Sequence, residues 1–206
     1  MRPETGAPHP IEAESYRLLG ERVDLSHLGP GGRAVVARVI HASADTDYAR
    51  TMVVDEAAIR AGVEALAAGA PVVTDVEMVR QGITGVETVC GLGEVASTPV
   101  TGPTRSARAM ALAARRHPTG VVVAVGCAPT ALVEVLRLAA EEGFAPALVV
   151  GLPVGFVGAA EAKAAARESG LPAITNVGEK GGSAVAAAAV NAISRLACTL
   201  RGDGRD

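Results

Sequence analysis

Four short apolar runs, each followed by a helical pattern, constrain the fold of this chain more than any other feature. The runs cover residues 71–74, 121–126, 147–151 and 172–176. They are apolar at consecutive rather than alternate positions, which is typical of strands buried on both faces. Helical patterns cover residues 57–68, 104–116, 129–142, 159–168 and 183–196. This alternation predicts an α/β fold with a doubly wound, Rossmann-like, mostly parallel sheet that carries helices on both faces.

Length and composition indicate one domain over residues 1–206, with flexible tails at 1–8 and 201–206. Hydrophobic residues make up 49% of the chain and aromatic residues only 2%. The core must therefore be filled by Ala, Val, Leu and Ile. The alanine-rich last helix is expected to pack closely on the sheet or on a partner subunit.

Charge and cysteine content exclude several classes of function. The chain carries 19 basic and 22 acidic residues, a net charge of -3, whereas nucleic-acid binding needs a broad basic face. Cys90, Cys127 and Cys198 are isolated, so we expect no zinc site or other metal site and no disulfide. Prolines and glycines interrupt the uncharged stretch 143–160, and the N-terminus does not look like a secretory signal. We therefore expect a cytoplasmic protein that does not bind membranes.

The loops expected after three of the predicted strands are rich in glycine. Ligands of doubly wound sheets bind beyond the carboxyl ends of the strands, so these loops should line the pocket. The glycines around Gly155 do not have the dinucleotide-binding spacing, and the segment around Lys180 is not a phosphate-binding Walker loop. Gly181-Gly182-Ser183 could present free backbone N–H groups to a carboxylate or phosphate. With equal weight, Ser183 could simply cap the following helix.

Arg38 and His41 lie three residues apart on a predicted amphipathic helix. Residues at this spacing share a helix face and could meet one ligand together. His41 falls in the last turn, where the helix dipole favours the imidazolium form and makes the side chain a plausible proton donor. The alternative, which periodicity alone favours, is a histidine that merely caps its own helix.

A second set of polar residues opens the helix that follows Pro103. The hydroxyl groups of Thr104 and Ser106 and the nearby backbone amides could face an anion, and Arg105 could grip a carboxylate through two hydrogen bonds. The alternative for Arg105 is a solvated residue at a helix start. Asp75 and Glu77, which follow the first predicted strand, are interpreted as acids at the start of a helix.

Six sequence blocks in the same order resemble the precorrin-8X methylmutase family over nearly the whole chain. They are His9-Pro10-Ile11-Glu12-Ala13-Glu14-Ser15, Arg38-Val39-Ile40-His41-Ala42, Val73-Thr74-Asp75-Val76-Glu77-Met78-Val79, Gly126-Cys127-Ala128-Pro129-Thr130-Ala131-Leu132, Pro153-Val154-Gly155-Phe156-Val157-Gly158-Ala159-Ala160-Glu161 and Gly181-Gly182-Ser183. The combination is far more specific than any single block. The chain departs from the family pattern at Cys127, where Asn is expected, and at Val177 and Glu179, where basic residues are expected.

The resemblance implies a homodimeric isomerase of cobalamin biosynthesis that moves a methyl group from carbon 11 to carbon 12 of precorrin-8X and gives hydrogenobyrinate. His41 matches the family's catalytic histidine, and Ser15, Arg38 and Arg105 match substrate contacts. Such a shift needs no cofactor. The substrate is a tetrapyrrole with several carboxylates, which Arg38, Arg105 and the glycine-rich helix starts would hold. The product would pass to the next enzyme of the pathway.

Three questions stay open at the level of sequence. A corrinoid carrier would show the same anion contacts, and the same mutase could act on cobalt-precorrin-8. We expect the metal-free substrate. In the loop where Val177 and Glu179 replace the expected basic residues, we expect Glu179 to point to solvent and Lys180 to supply the missing positive charge.

Overall fold

The computed structural model describes residues 9–96 and 101–202, and its centre is a six-stranded sheet. The strands are β1 (Met52–Val53), β2 (Val72–Thr74), β3 (Thr88–Val89), β4 (Val122–Val125), β5 (Leu148–Gly151) and β6 (Ala173–Asn176). Their order is β1-β6-β5-β4-β2-β3, and every neighbouring pair is parallel except β1 with β6. The predicted α/β fold with a mostly parallel sheet is confirmed. The strands β1 and β3 were not predicted.

Nine α-helices and one 3₁₀ helix surround the sheet within the described ranges. The α-helices are α1 (Pro10–Arg22), α2 (Pro30–Ser43), α3 (Tyr48–Thr51), α4 (Glu56–Ala67), α5 (Glu77–Gly82), α6 (Arg105–Arg116), α7 (Pro129–Glu142), α8 (Ala159–Glu168) and α9 (Ser183–Leu200), and the 3₁₀ helix is Gly91–Glu94. The predicted helices agree with these bounds to within a few residues. The two predicted tails lie mostly outside the described residues, which begin at residue 9 and end at residue 202.

Two apolar cores cover the two faces of the sheet. Alternate strand residues divide between them: Val122 and Ala124 of β4 face the core formed with α2, α4, α5 and α9. Val123 and Val125 face the core formed with α6, α7 and α8. All four residues of β4 are buried because each face of the strand has a layer of helices over it. Helices on both faces of the sheet were predicted and are observed.

The alanine-rich helix α9 belongs to the core of its own chain. It packs against α2, α4 and α5, and small side chains such as Ala186 and Ala189 are fully buried. Among the described residues it is the one helix long and apolar enough to span a membrane, yet 61% of its length is buried against the rest of the chain. This burial is what a core helix of a folded domain shows. Of the two packing partners predicted for α9, the structure shows the chain's own core.

Several loops meet at the carboxyl edge of the sheet. The parallel strands β2, β4, β5 and β6 all end there. Because β1 is antiparallel to β6, with Met52 opposite Asn176, the chain enters β1 at the same edge. The end of α2 and the turn that follows it are thereby brought beside the loop between β6 and α9.

Candidate active site

His41 lies in the last turn of α2, as predicted, and two residues of α1 hold its ring. The Nδ1 atom is 2.8 Å from the hydroxyl oxygen of Ser15. The ring also stacks on Tyr16, with centroids 4.9 Å apart and planes inclined by 14°. The structure thus brings together His41 and Ser15, and it adds Tyr16, which sequence reasoning missed. Ser15 and Tyr16 are adjacent in α1, and both reach the same imidazole. Ser15 contacts its Nδ1 atom, and Tyr16 contacts its face.

The contact with Ser15 distinguishes the two ring nitrogens of His41. Nδ1 has a fixed partner, and among the described residues Nε2 has none. When Ser15 donates to Nδ1, the proton of a neutral ring resides on Nε2. Nε2–H is then available to a ligand in the adjoining cleft of about 320 Å³, which Ser15, Leu18, Ile40 and His41 help to line.

Arg38 lies beside a different cleft from His41. Its Nη1 donates to Glu12 Oε1 at 2.8 Å and approaches the Tyr16 hydroxyl at 3.4 Å. The cleft next to it has a volume of about 440 Å³, and Tyr16 and Arg195 also line it. Arg38 and His41 thus line different clefts, and the expectation that they meet one ligand together stays a prediction. Tyr16 of α1 contacts both side chains, with its ring on His41 and its hydroxyl near Arg38.

Glu12 is a carboxylate that bonds Arg38 and Arg195, two cations that line the same cleft. Burial alone would raise the pKa of Glu12, but the guanidinium groups of Arg195 and Arg38 lower it below its usual range. Glu12 is therefore ionised at neutral pH and offsets part of the positive charge. A substrate carboxylate that approaches Arg38 would have to compete with Glu12.

The residues at the start of α6 form a separate cluster. Thr104 is the N-cap, and its hydroxyl accepts from Ala107 N at 3.2 Å and lies 2.7 Å from the Thr130 hydroxyl at the start of α7. Arg105 directs Nε and Nη2 at the backbone carbonyls of Val95 and Leu92. Nε and Nη2 of Arg105 thus bond the segment that precedes α6. The contact of Arg105 with a substrate carboxylate stays a prediction, and Nη1 is the atom that would make it. Ser106 is half-buried in the first turn.

The loop between β6 and α9 brings Gly181, Gly182 and Ser183 to the carboxyl edge. The N-cap of α9 is Gly182 and Ser183 is the first helical residue, so the interpretation of Ser183 as the cap is wrong. Gly182 N–H donates to the carbonyl of Leu152 at 2.9 Å, which removes one of the N–H groups that were expected to be free. A Cβ on Gly181 would lie 2.3 Å from the same carbonyl oxygen. The segment is thus pressed against the end of β5.

Lys180 and Glu179, which precede these glycines, differ in their surroundings. Glu179 is exposed, as expected. Lys180 Nζ is 2.7 Å from Asp45 Oδ2 and 3.1 Å from Asp47 Oδ2. Its charge is already paired with two carboxylates, which counts against the idea that it stands free to replace a missing positive charge.

Lys163 is a fully buried cation that sequence reasoning missed. Its Nζ donates to Asn176 Oδ1 at 3.0 Å and to the carbonyl of Lys180 at 2.6 Å. Burial, with a contribution from the nearby Arg167, lowers the pKa of Lys163 to about 8. A signal for its burial was present, because Lys163 lies on the same face of α8 as Ala159, Ala162 and Ala166.

Asp75 is a second buried polar residue at this edge, and its interpretation as a helix-start acid is wrong. The carboxylate is fully buried and accepts from the backbone N–H groups of Gly126, Cys127 and Ala128 at 2.8 to 3.1 Å. Burial raises the pKa of Asp75, although the three N–H donors act in the opposite direction. Asp75 fixes the turn between β4 and α7. Glu77 does lie in the first turn of α5, paired with Arg80.

An exposed apolar loop follows β5. Phe156 is 97% exposed and Val157 is 88% exposed, while Val154 is partly exposed. Gly155 N–H donates to the carbonyl of Glu179 at 3.1 Å, which joins this loop to the loop between β6 and α9. The carboxyl edge therefore offers apolar side chains next to polar backbone. Within the described ranges, no group of three or more His, Cys, Asp or Glu residues is arranged to hold a metal ion.

The fold and the site define an α/β domain with an imidazole fixed by a hydroxyl group and with cations and an apolar loop around the carboxyl edge of a parallel sheet. The family model of precorrin-8X methylmutase matches residues 10–196. The chain belongs to the precorrin-8X methylmutase family. It is accordingly an isomerase of cobalamin biosynthesis, in a family whose reaction moves a methyl group from carbon 11 to carbon 12 of a corrin-type macrocycle.

Relatives and solved structures agree with this assignment. A cobalt-precorrin-8 methylmutase from Priestia megaterium is 39% identical over 207 residues, which span 96% of this chain and 92% of the relative. A precorrin-8X methylmutase from Pseudomonas aeruginosa is 38% identical over 195 residues, 89% of this chain and 93% of the relative. The structure of a precorrin-8X methyl mutase from Thermus thermophilus superposes with a TM-score of 0.82 at 36% identity, covering 95% of this chain and 98% of that one.

Proposed function

We propose that this chain converts metal-free precorrin-8X into hydrogenobyrinate, with His41 as the residue that assists the methyl shift. The bond between carbon 11 and the methyl carbon breaks and the bond to carbon 12 forms, so substrate and product are isomers. The observation that supports this role is the contact of 2.8 Å between Ser15 and His41 Nδ1. It leaves Nε2 to donate a hydrogen bond or a proton to the macrocycle as charge shifts during migration.

The remaining contacts would hold the macrocycle in place. The substrate carries several carboxylates on a flat apolar ring, and Arg38, Arg105, Thr104, Ser106 and the Gly181-Gly182-Ser183 segment are the candidates to bind those carboxylates. Arg38 would do so in competition with Glu12. Exposed Phe156 and Val157 would contact the face of the ring. The macrocycle would then extend along the carboxyl edge from the His41 cleft toward the loop after β5.

Whether the macrocycle contains cobalt is a separate part of the proposal. The relatives named above carry both names, cobalt-precorrin-8 methylmutase and precorrin-8X methylmutase. The metal-free assignment predicts that precorrin-8X is converted with a higher kcat/KM than its cobalt complex. A preference for the cobalt complex would reverse the assignment. We further propose that the enzyme is a cytoplasmic homodimer that hands its product to the next enzyme of the pathway.

The proposed role of His41 is tested by mixing enzyme and precorrin-8X anaerobically and following the absorbance spectrum. We expect His41→Ala to lower kcat at least a hundredfold while it still binds hydrogenobyrinate, because general acids contribute about 10²- to 10⁴-fold. Ser15→Ala should give a smaller loss, since the ring remains but its orientation is no longer fixed. His117→Ala, at the far end of α6, is the matched control and should convert substrate like the wild type. Equal rates for His41→Ala and wild type would exclude His41 as the acid.

A further inference from the structure

Lys180 joins the two segments that carry the proposed chemistry. Its ammonium group bonds Asp45 and Asp47, which belong to the turn directly after α2 and follow His41 by four and six residues. Its backbone continues into Gly181 and Gly182. Among the described residues, two form salt bridges with these aspartates. One is Lys180, and the other is Arg50 of α3, which directly follows the turn and pairs with Asp47. Lys180 is therefore the ionic connection from the turn after His41 to the glycine segment.

The backbone of Lys180 is held firmly from the inner side. Its carbonyl accepts from buried Lys163 Nζ at 2.6 Å and from Asn176 Nδ2 at 2.9 Å. Two residues further on, Gly182 N–H is bonded to Leu152. The point to which Asp45 and Asp47 attach is thus a rigid part of the sheet edge and not a free loop.

The turn after α2 needs such an anchor. The helix ends at Ser43, and its C-cap Ala44 has a φ of 54° in the left-handed region that non-glycine residues rarely adopt. Local bonds, such as Asp47 N–H to Asp45 Oδ1 at 3.0 Å, shape the turn. The next backbone bond to the sheet is made only at Thr51, whose carbonyl accepts from Val177 N–H at 2.8 Å. A small shift of this turn would move the last turn of α2, and His41 with it.

We propose that Lys180, locked by Lys163 and Asn176, is a positioning residue that fixes His41 relative to the substrate edge through Asp45 and Asp47. This inference rests on the proposed role of His41. Lys180→Met keeps the length of the side chain and removes its charge. We expect kcat to fall about tenfold with KM within about twofold, because small misplacements of a catalytic group can cost up to about 10²-fold.

A matched control comes from Arg50, which pairs with the same Asp47 but does not reach the sheet edge. Arg50→Met should leave kcat within about twofold of wild type. Lys180→Arg should retain most of the activity, and Asp45→Asn with Asp47→Asn should reproduce the loss without adding to that of Lys180→Met. Because the pair is half-exposed, 1 M NaCl should reduce the difference in kcat between wild type and Lys180→Met.

A readout independent of turnover separates this inference from the proposed function. The chain has four histidines, and ¹³C-labelled imidazole groups can be followed by NMR. Lys180→Met should shift or broaden the His41 signal alone, and Arg50→Met should not. An unchanged His41 signal together with an unchanged kcat would overturn the inference, as would equal losses in Lys180→Met and Arg50→Met. A wild-type enzyme that does not convert precorrin-8X would instead refute the proposed function and leave the NMR test valid.

Discussion

At the scale of single residues, buried polar groups that form several hydrogen bonds hold the loops of the site in place. Asp75 satisfies three backbone N–H groups, and Lys163 binds Asn176 and the Lys180 carbonyl. A buried charge is costly unless it is bonded in this way. Both residues fix loops at the carboxyl edge, one after β4 and one after β6.

Lys163 should give the protein an unusual dependence of stability on pH. Its pKa is about 8 in the folded chain, below the ordinary 10.5, so between these values the unfolded chain binds the additional proton. Stability therefore rises with pH through this window. Relative to Lys163→Met, the wild type should gain about 2 kcal/mol in free energy of unfolding between pH 7 and pH 10. Urea unfolding of both proteins at the two pH values measures this, and a parallel dependence would contradict the prediction.

Gly181 should tolerate no side chain, because a Cβ there would lie 2.3 Å from the Leu152 carbonyl and 2.4 Å from that of Pro153. We expect Gly181→Ala to lose about 1–3 kcal/mol of stability, the usual cost of overpacking, and to raise KM by displacing the segment. Gly20→Ala is the control: a Cβ there meets nothing within 4 Å on helix α1, so stability should rise by about 0.5–1 kcal/mol. Thermal unfolding and steady-state kinetics of both variants decide the matter.

At the scale of elements, the sequence predicted the four central strands because they are buried on both faces and so read as continuous apolar runs. The strands β1 and β3 have only two residues each and offer no pattern of that kind. The helix that carries His41 was predicted from its flanking glycines and polar residues. The assignment of Arg38 and His41 to different clefts was not predicted, because spacing along a helix does not reveal how α1 packs against the two side chains. Long-range pairs such as Lys180 with Asp45 depend on topology and leave no local signal.

The loop after β5 exposes apolar side chains that a bound ligand could cover. If Phe156 contacts the macrocycle, Phe156→Ala should raise KM by about tenfold, since burying a large apolar side chain contributes roughly 1.5–3 kcal/mol. Stability should stay unchanged because the side chain is 97% exposed in the free chain. Leu200→Ala, an exposed apolar residue at the end of α9, is the control and should alter neither KM nor kcat. A KM equal to wild type would remove Phe156 from the binding surface.

At the scale of the whole molecule, the candidate site residues of the described chain are divided between two separate clefts and the loops at the carboxyl edge of the sheet. The two clefts beside His41 and Arg38 measure about 320 and 440 Å³, near the lower end of the range of about 300–1,000 Å³ for small-molecule sites. A tetrapyrrole with several carboxylate arms exceeds either cleft. We propose that a second subunit covers the part of the macrocycle that neither cleft can hold.

The homodimer proposal therefore carries a kinetic prediction. If a partner completes the site, specific activity should fall on dilution in step with dissociation of the dimer, and both should return on concentration. Sedimentation velocity and initial rates over the same range of protein concentration provide the comparison. Lys180→Met is a useful control, because a defect in His41 positioning lowers the rate at every concentration without changing the midpoint of the dilution curve. A monomer with full specific activity would refute the proposal and would require one chain to hold the macrocycle along its open edge.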